Sequence, residues 1–439
     1  NDYAVLSATV YNKVRGDKNQ LPVPANWTEV DNDLNHPITG FAASAYRNGN
    51  DVVIAFRGTE NLMDGVADLL LGVGLGSAQL TQAALFYQVV KAANPGANIS
   101  FAGHSLGGGL ASVMSVWFDR PAVVFNEAPF EATALNPLLV KATAFALNEA
   151  GPGDPALDRL ADANRFADLS ALYTLRETQV TNYYMPGEFL VPLRGLLPTV
   201  AGTNNPVTTL GTGATGTFDL HSINLLAARL LEPKLGTLGY RLPTLVKQLF
   251  STEARAADLN SQSRDFLTNI LADQISKGYD SQDGLLAKFA ADIDTLTNGL
   301  PLSGDKAIDL AVRLGIEHYY HMLDNGVGEP LFGQVGSGIQ ADLNKFVVGL
   351  DQIKPYGELR QFALDAADDA DARDAITEFI TDKRRWNIAV GNGGLSGSAD
   401  GDVSDIVLGG KGADDFDAGA GDDLLIGGAG TDDLQGDAG

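Results

Sequence analysis

The sequence predicts an α/β fold with a mostly parallel sheet in the first part of the chain, and two observations support this. Short apolar runs alternate with helical patterns through about residue 224, as strands and crossover helices do in a parallel sheet. The 439 residues are 45% hydrophobic, so the chain is globular and long enough for more than one domain. Beyond this part the pattern turns helical, and it changes again in an acidic tail.

Four apolar segments are predicted strands, and two longer segments are predicted helices. The strands are DVVIAF (51–56), ANISFA (97–102), AVVFNEAP (122–129) and TQVTNYYM (178–185). Apolar residues recur at helical spacing through 77–93, which predicts an amphipathic helix. The segment LGGGLASVMSVWF (106–118) predicts a buried helix.

Two segments of this first part are candidates for a lid. A long insertion at 130–177 separates the last two predicted strands and contains apolar helical stretches. Insertions of that length in an α/β sheet often cover a site. The segment LMDGVADLLLGVGLG (62–76) is also strongly apolar. Packing into the core is the alternative for both segments.

These patterns divide the chain into three regions. Residues 1–235 are predicted to form the α/β domain, including the insertion. Residues 236–390 are predicted to be mainly helical, as in RDFLTNILADQISKG, and contain no recognisable constellation of reactive residues. Residues 391–439 form the acidic, glycine-rich tail.

Charge and cysteine content exclude several kinds of partner. Asp and Glu number 55 and Lys and Arg 30, for a net charge of −25. This charge disfavours nucleic acids and anionic membrane surfaces as electrostatic partners and favours bound cations. The absence of cysteine excludes disulfides and thiolate metal sites. No run is long and apolar enough to span a bilayer, and the sequence, which begins at Asn1, shows no signal peptide.

A nine-residue repeat runs through the tail from residue 400. Its units are DGDVSDIVL, GGKGADDFD, AGAGDDLLI and GGAGTDDLQ, followed by a partial GDAG. The sixth position always holds an aspartate: Asp405, Asp414, Asp423 and Asp432. The eighth position is always apolar: Val407, Phe416, Leu425 and Leu434.

Two such units predict one coil of a parallel β-roll, with glycines in the tight turns and the eighth residue in a thin core. On that geometry Asp405 lies beside Asp423, and Asp414 lies beside Asp432. Paired carboxylates and turn carbonyls suit Ca²⁺, which takes about six to eight oxygen ligands. We therefore expect structural Ca²⁺ on these four aspartates, with folding of the tail coupled to the ion. A flexible acidic linker is the alternative.

The motif Gly103-His104-Ser105-Leu106-Gly107 fits G-x-S-x-G and lies between a predicted strand and a predicted helix. In this context the serine occupies a sharp turn that exposes its hydroxyl at the edge of the sheet. The pattern alone is weak in a chain with 50 glycines, and the strand–turn–helix context gives it weight. Ser105 is therefore the candidate nucleophile.

A serine nucleophile that attacks an acyl carbonyl also requires hydrogen-bond donors for the negative charge that develops on the carbonyl oxygen, the oxyanion. The backbone N–H of Leu106, next to Ser105, is one candidate. The other is Thr59, which follows Arg57-Gly58 at the end of a predicted strand. An ordinary strand-to-helix turn is the alternative interpretation of this FRGT segment.

A serine hydroxyl needs a base, and the chain has five histidines. His104 lies inside the turn and is expected to support it, and His36 lies in a predicted loop. His318 and His321 share a helical segment without an evident carboxylate partner, which favours packing over metal binding. His221 lies on a loop that enters a helix, after all the predicted strands, and is the candidate base.

The third member of a triad must orient the histidine, and in this kind of fold the chain order is Ser, Asp or Glu, then His. Glu188 lies just past the last predicted strand, and we favour it on this order. Glu127, Asp168 and Asp219 are the alternatives, of which Asp219 is too close in sequence to His221 to orient it easily.

The segments VVIAFRGT, FAGHSLGGGLAS, VVFNEAP and FDLHSINLL together resemble lipases typified by fungal triacylglycerol lipases and by bacterial lipases with RTX repeats. The resemblance covers roughly residues 40–230 and implies an α/β-hydrolase fold. It also implies Ser105 as nucleophile, His221 as base, and Thr59 with Leu106 as oxyanion donors. Those lipases usually have an aspartate as the orienting acid, whereas the best match here is a glutamate.

The tail resembles the RTX repeats of bacterial proteins exported by type I secretion. This resemblance covers about 40 residues. It implies an extracellular destination, reached through secretion machinery that reads a C-terminal signal. The given sequence ends within a repeat and does not contain that signal.

We therefore expect a secreted serine carboxylic-ester hydrolase that acts on lipid acyl esters at a lipid–water interface. A triacylglycerol lipase and a phospholipase A1 both fit. Two other classes stay open: a non-catalytic RTX surface or adhesion protein that keeps the fold, and a serine peptidase or acyltransferase with the same triad.

Overall fold

A computed structural model gives the structure of most of the first domain and of parts of the tail. The described residues are 1–33, 39–58, 77–163, 166–197, 202–207, 219–236, 266–287, 290–291, 386–390, 396–398, 404–408, 413–420, 424–426 and 430–437. The candidate lid at 62–76 and most of the predicted helical region 236–390 lie outside them.

The first domain is built on a seven-stranded sheet in which the strands follow one another in chain order. The strands are β1 (Thr28–Asp33), β2 (Ala43–Asn48), β3 (Asp51–Phe56), β4 (Asn98–His104), β5 (Ala122–Phe125), β6 (Val180–Tyr184) and β7 (Thr203–Pro206). The strands β1, β2 and β3 pair antiparallel, and β3 to β7 pair parallel. The mostly parallel sheet predicted from the sequence is therefore present.

Ten helices have both ends within the described residues. They are α1 (Asp2–Thr9), α2 (Ser77–Ala93), α3 (Leu106–Phe118), α4 (Glu131–Ala134), α5 (Pro137–Ala150), α6 (Pro155–Ala161), α7 (Phe166–Glu177), α8 (Val191–Arg194), α9 (Ile223–Leu231) and α10 (Phe266–Lys277). Short 3-10 helices occur at Val10–Val14, Asp17–Asn19 and Asp219–His221. None of the helices described here is both long and apolar enough to cross a membrane.

Helices cover both faces of the sheet, which is why β3 has apolar residues on both of its faces. In β3, Val52, Ile54 and Phe56 point into the larger core, with α2, α3 and the insertion helices. Val53 and Ala55 point into a second core that includes residues of α1. Helix α1 also packs against β4 and α9. This two-sided cover is typical of parallel sheets, whose strands lack an alternating polar face.

The insertion at 130–177 forms the four helices α4 to α7. Their inward residues, including Val140, Leu157 and Tyr173, belong to the larger core. The buried guanidinium of Arg176 donates to the carbonyls of Val116 at 2.8 Å, Trp117 at 3.2 Å and Ala156 at 3.1 Å. These bonds attach the end of the insertion to α3. Movement of another part of the insertion as a lid stays a prediction.

The described part of the tail contains two parallel sheets of three strands each. The strands are β8 (Trp386–Val390), β9 (Ser396–Ser398), β10 (Ser404–Leu408), β11 (Asp415–Asp417), β12 (Leu424–Ile426) and β13 (Asp433–Gln435). One sheet has the order β12-β10-β8 and the other β13-β11-β9. Strand β8 precedes residue 391, where the tail was predicted to begin.

Consecutive repeat units alternate between these two sheets. Phe416 in β11 lies opposite Leu434 in β13, and the buried pair Phe416 and Ala418 is packed by Leu425 and Leu434. Three residues predicted at the eighth repeat position therefore share one small apolar cluster. The side chain of Val407, the fourth such residue, lies outside the described residues.

The turn between β4 and α3 holds Ser105 in a conformation that non-glycine residues rarely adopt. Its φ is 59° and its ψ is −127°, and such a conformation costs on the order of 1–3 kcal/mol. The Ser105 N–H donates to Phe125 at 3.0 Å, and the Ser105 carbonyl accepts from Ala128 and Gly109, both at 3.1 Å. These backbone hydrogen bonds to the end of β5, to the chain after it and to α3 keep the strained turn in place.

Two glycines of the motif are required by close backbone approach. A Cβ atom on Gly103 would overlap the carbonyl oxygen of Gly107, and one on Gly107 would overlap the carbonyl oxygen of Phe56. The absence of these side chains lets α3 begin directly against the ends of β3 and β4. Ser105 is thereby fixed at the carboxyl edge of the sheet, where the motif predicts it.

We expect Gly107→Ala to lower the free energy of unfolding by about 3 kcal/mol or more, because the clash is with backbone atoms that cannot rotate away. Thermal unfolding and the yield of soluble protein measure this effect. Gly151→Ala is the control, since its φ is 179° and no atom of the described residues lies within 4 Å of the added Cβ. A Gly107 variant as stable as this control would show that the turn relaxes freely.

Candidate active site

His221 ends the 3-10 helix Asp219–His221 and is almost completely buried, with 1% of its surface exposed. Its Nδ1 lies 2.7 Å from Oε2 of Glu188. Its Nε2 has no hydrogen-bond partner among the described residues. The ring centroid of His221 is 4.7 Å from that of His104, the residue immediately before Ser105. The structure thus brings the predicted base beside the chain segment that holds the predicted nucleophile.

Glu188 lies in the loop after β6 and has no exposed surface. Its Oε2 accepts from the N–H of Leu190 at 2.9 Å as well as from His221. Its Oε1 forms an ion pair with Nη1 of Arg194 at 2.7 Å. Burial raises the pKa of Glu188, and the Arg194 charge and the Leu190 hydrogen bond oppose that rise. The carboxylate is therefore fixed on both oxygens.

The alternative acids lie elsewhere. Asp168 is exposed on the first turn of α7. Glu127 is buried after β5, and its carbonyl oxygen accepts from Nε of Arg194 at 2.7 Å. Asp219 belongs to the same short helix as His221, and its side chain lies outside the described residues. Glu188 is the acid whose contact with His221 the structure records.

His104 connects three parts of the site through hydrogen bonds. Its Nδ1 lies 3.1 Å from the hydroxyl of Tyr11, and its Nε2 lies 2.6 Å from the carbonyl oxygen of His221. The Gly58 N–H donates to the Tyr11 hydroxyl oxygen at 2.9 Å. The partners assign the protons: Tyr11 donates to Nδ1, and Nε2 donates to the carbonyl. Burial and the neighbouring His221 lower the pKa of His104 well below its ordinary value, so it is neutral.

The chain end of β3 approaches Ser105 closely. A Cβ atom on Gly58 would lie 2.7 Å from the carbonyl oxygen of His104 and 3.2 Å from Cβ of Ser105. Thr59, the predicted oxyanion donor that follows, lies outside the described residues. Leu106, the other predicted donor, is the first residue of α3, where backbone N–H groups have no partner within the helix.

The contact between Glu188 and His221 leaves His221 able to accept a proton. Since Glu188 accepts from Nδ1, the neutral His221 has its unprotonated nitrogen at Nε2, where it can accept a proton. Burial, followed by the charge of Arg194, lowers the pKa of His221 well below its ordinary value. The neutral, proton-accepting form is therefore the one present at neutral pH.

Two residues of this site have no sequence signal that identifies them. Tyr11 belongs to an N-terminal segment far from the motif, and Arg194 follows Glu188 within a short loop and helix without periodic pattern. Only the tertiary structure brings them to His104 and Glu188. His36, His318 and His321 lie outside the described residues.

The predicted metal ligands of the tail are described only in part. Asp414 and Asp432 are neighbours, since the Asp414 N–H donates to Oδ1 of Asp432 at 3.1 Å. The Asp405 side chain and Asp423 lie outside the described residues. In the part of the chain that the structure describes, no group of three or more acidic or histidine side chains could hold a metal ion.

Comparison with known proteins gives one family match. Residues 2–195 match the phospholipase-like family described as the Tle-like phospholipase domain. This range includes Ser105 and Glu188 and ends before His221. The extracellular phospholipase A1 of Serratia liquefaciens is 37% identical over 100 residues, which are 23% of this chain and 31% of that protein. The chain thus matches about a third of the length of this relative.

Solved structures of lipases resemble parts of the chain. The LIP2 lipase of Yarrowia lipolytica is 14% identical, with a TM-score of 0.30 over 47% of this chain and 78% of its own. A triacylglycerol lipase from Penicillium expansum is 18% identical, with a TM-score of 0.23 over 29% of this chain and 59% of its own.

The family match, the parallel sheet and the serine turn agree. The first part of the chain is an α/β domain built on a mostly parallel sheet, and its residues 2–195 are similar to a phospholipase domain.

Proposed function

We propose that this protein is a serine carboxylic-ester hydrolase that acts on lipid acyl esters through Ser105, His221 and Glu188. The observation that carries the proposal is the buried contact between Glu188 and His221, at 2.7 Å, beside the strained turn of Ser105. A carboxylate, an imidazole and a serine in this chain order are the components of a hydrolytic triad.

The reaction begins when Oγ of Ser105 attacks the acyl carbonyl carbon and His221 Nε2 takes the hydroxyl proton. Glu188 stabilises the imidazolium through Nδ1. The tetrahedral intermediate then breaks its bond to the alcohol oxygen, which leaves with the proton from Nε2. Water, deprotonated by the same nitrogen, attacks the acyl-enzyme and releases the fatty acid and free Ser105.

The oxyanion would be bound by backbone N–H groups of Leu106 and Thr59. The position of Leu106 at the start of α3 supports this role, because the helix amino terminus offers free N–H donors and a positive partial charge. The approach of Gly58 to Ser105 supports the role of the next residue, Thr59.

For the substrate we favour phospholipids, cleaved as by a phospholipase A1, over triacylglycerols. The match to a phospholipase domain and the name of the Serratia relative support this choice. That relative is described as extracellular, which supports secretion and action at a lipid–water interface. Export by type I secretion rests on the resemblance of the tail to RTX repeats.

We expect Ser105→Ala and His221→Ala each to lower kcat for a p-nitrophenyl acyl ester by at least about a thousandfold, because each removes a reacting group. Glu188→Gln should lower kcat by about a hundredfold or more, since the imidazolium loses its partner charge. Ser276→Ala, at an exposed position of α10, is the control and should retain full activity. Equal activity of the Ser105 and Ser276 variants would refute the triad, and thermal unfolding verifies that each variant is folded.

Substrate class is decided by a panel of long-chain triacylglycerol, phospholipid with distinguishable acyl chains, and peptide. Release of the sn-1 fatty acid from phospholipid, lost in Ser105→Ala, is the expected result. Preferential cleavage of triacylglycerol or peptide would reassign the substrate. Absence of all hydrolysis would favour the non-catalytic surface protein.

For the tail, we infer a calcium-dependent β-roll in which Asp414 with Asp432, and Asp405 with Asp423, bind the ion. The adjacent Asp414 and Asp432 offer the oxygen ligands that Ca²⁺ prefers. The alternation of repeat units between two parallel sheets supports the roll. The ion would offset repulsion between neighbouring carboxylates and so stabilise a very small apolar cluster.

We expect Ca²⁺ to increase the β-structure signal of the full-length chain in far-ultraviolet circular dichroism and to bind measurably in calorimetry. Asp414→Asn combined with Asp432→Asn should weaken Ca²⁺ binding by about tenfold or more, because two charged ligands are lost. Asp437→Asn, at an exposed position outside the sixth repeat position, is the control. Equal binding by the double variant and this control would contradict the assignment.

A further inference from the structure

Arg194 is joined to the candidate triad from the side opposite His221. Its Nη1 lies 2.7 Å from Oε1 of Glu188, while His221 uses Oε2. Its Nε donates to the carbonyl oxygen of Glu127 at 2.7 Å, and its guanidinium carbon lies 5.5 Å from the ring centroid of Tyr184. The side chain is 12% exposed. The guanidinium is thus held by three separate contacts, one of which is the orienting acid itself.

This arrangement places a fixed positive charge behind the carboxylate that must stabilise an imidazolium. A buried, unpaired carboxylate would tend to take up a proton. The Arg194 charge opposes this by stabilising the ionised form of Glu188. The same charge disfavours protonation of His221, which it faces across the carboxylate. Both effects favour the ionised acid and the neutral base together.

We propose that Arg194 is a positioning residue of the hydrolytic site, which fixes Glu188 as an ionised partner of His221 and keeps the pair in its active protonation state at acidic pH. The inference rests on the proposed function for its effect on catalysis. It extends that function by assigning the lower limit of the working pH range to a residue that touches neither substrate nor reacting atoms.

The direction of the effect follows from the two groups. Loss of the positive charge raises the pKa of Glu188 and the pKa of His221, because both values are lowered by Arg194 in the intact site. Protonation of either group on acidification removes the active form. Both changes therefore move the acidic limb of the pH profile of kcat/KM, where activity is lost on acidification, to higher pH. Because they act in the same direction, they do not cancel each other.

Other charged and titratable groups lie around the site, and the substitution leaves them in place. His104 packs against its ring and is neutral through burial. Arg15, on the segment after the first 3-10 helix, donates to Asn224 of α9 at 3.1 Å. Glu127, whose carbonyl oxygen accepts from Arg194, is also buried. These groups are common to every variant, so a shift of the limb reports on Arg194.

The test compares Arg194→Met and Arg194→Gln, which remove the charge, with Arg194→Lys, which keeps it. We expect the acidic limb of kcat/KM for a p-nitrophenyl acyl ester to move up by about one pH unit in the neutral variants, the lower range for a charge at this distance. At a pH one unit below the acidic limb of the unsubstituted protein, kcat/KM of the neutral variants would then be about tenfold lower than that of the unsubstituted protein. Arg194→Gln retains a donor for Glu188 and serves if the Met variant fails to fold.

Arg159→Met, at an exposed position of α6, is the matched control and should leave the limb unchanged. An unmoved limb in folded, charge-removing variants would overturn the proposal. A limb that moves equally in Arg194→Lys would also overturn it, because the effect would then not depend on charge.

A measurement without catalysis separates this inference from the proposed function. In the Ser105→Ala background, NMR titration of the His221 ring reports its protonation directly. A higher protonation midpoint on adding Arg194→Gln supports the role of Arg194, even if the lipid panel shows no hydrolysis. An unchanged midpoint contradicts the inference while leaving the triad to be judged by the activity of the Ser105 variant.

Discussion

The hydrogen bond between Glu188 and His221 joins two side chains that are almost wholly removed from water, and the site depends on how that burial is compensated. An ionised carboxylate in such surroundings is costly unless its oxygens are bound. Here the Leu190 N–H donates a hydrogen bond to Oε2, and the Arg194 guanidinium forms an ion pair with Oε1. Both come from the same short loop and helix after β6, so the acid and its supports lie within residues 188–194.

Backbone hydrogen bonds fix the position of Ser105 in the site. Ser105 keeps an unfavourable conformation because its N–H is bound to the last residue of β5, and its carbonyl to the chain after β5 and to α3. The Tyr11 hydroxyl then connects the end of β3 to His104, and His104 binds the carbonyl oxygen of His221. The N-terminal segment is therefore part of the framework that aligns the two halves of the site, although it supplies no reacting group.

The sequence predicted the elements whose patterns are local and strong. The bounds of α2 and α3 agree with the predicted 77–93 and 106–118, and β3 agrees with the predicted 51–56. The strands β1, β2 and β7 were missed. TEVDND and TNNP are polar and form the two edges of the sheet, and ASAYRN consists largely of small and polar residues and lacks a bulky apolar run. Glu188 was favoured from chain order alone, whereas Arg194 and Tyr11 act through tertiary contacts that no periodicity encodes.

The anchoring of the insertion by Arg176 limits how this domain can deform. Moving the end of α7 away from α3 would remove the Val116 and Trp117 carbonyls from the buried Arg176 guanidinium, and moving α6 away from α7 would remove the Ala156 carbonyl. Breaking these buried hydrogen bonds costs more free energy than bending an exposed turn. If the insertion moves as the predicted lid, its moving part is therefore expected upstream of Pro155, in the part of the insertion that Arg176 does not hold.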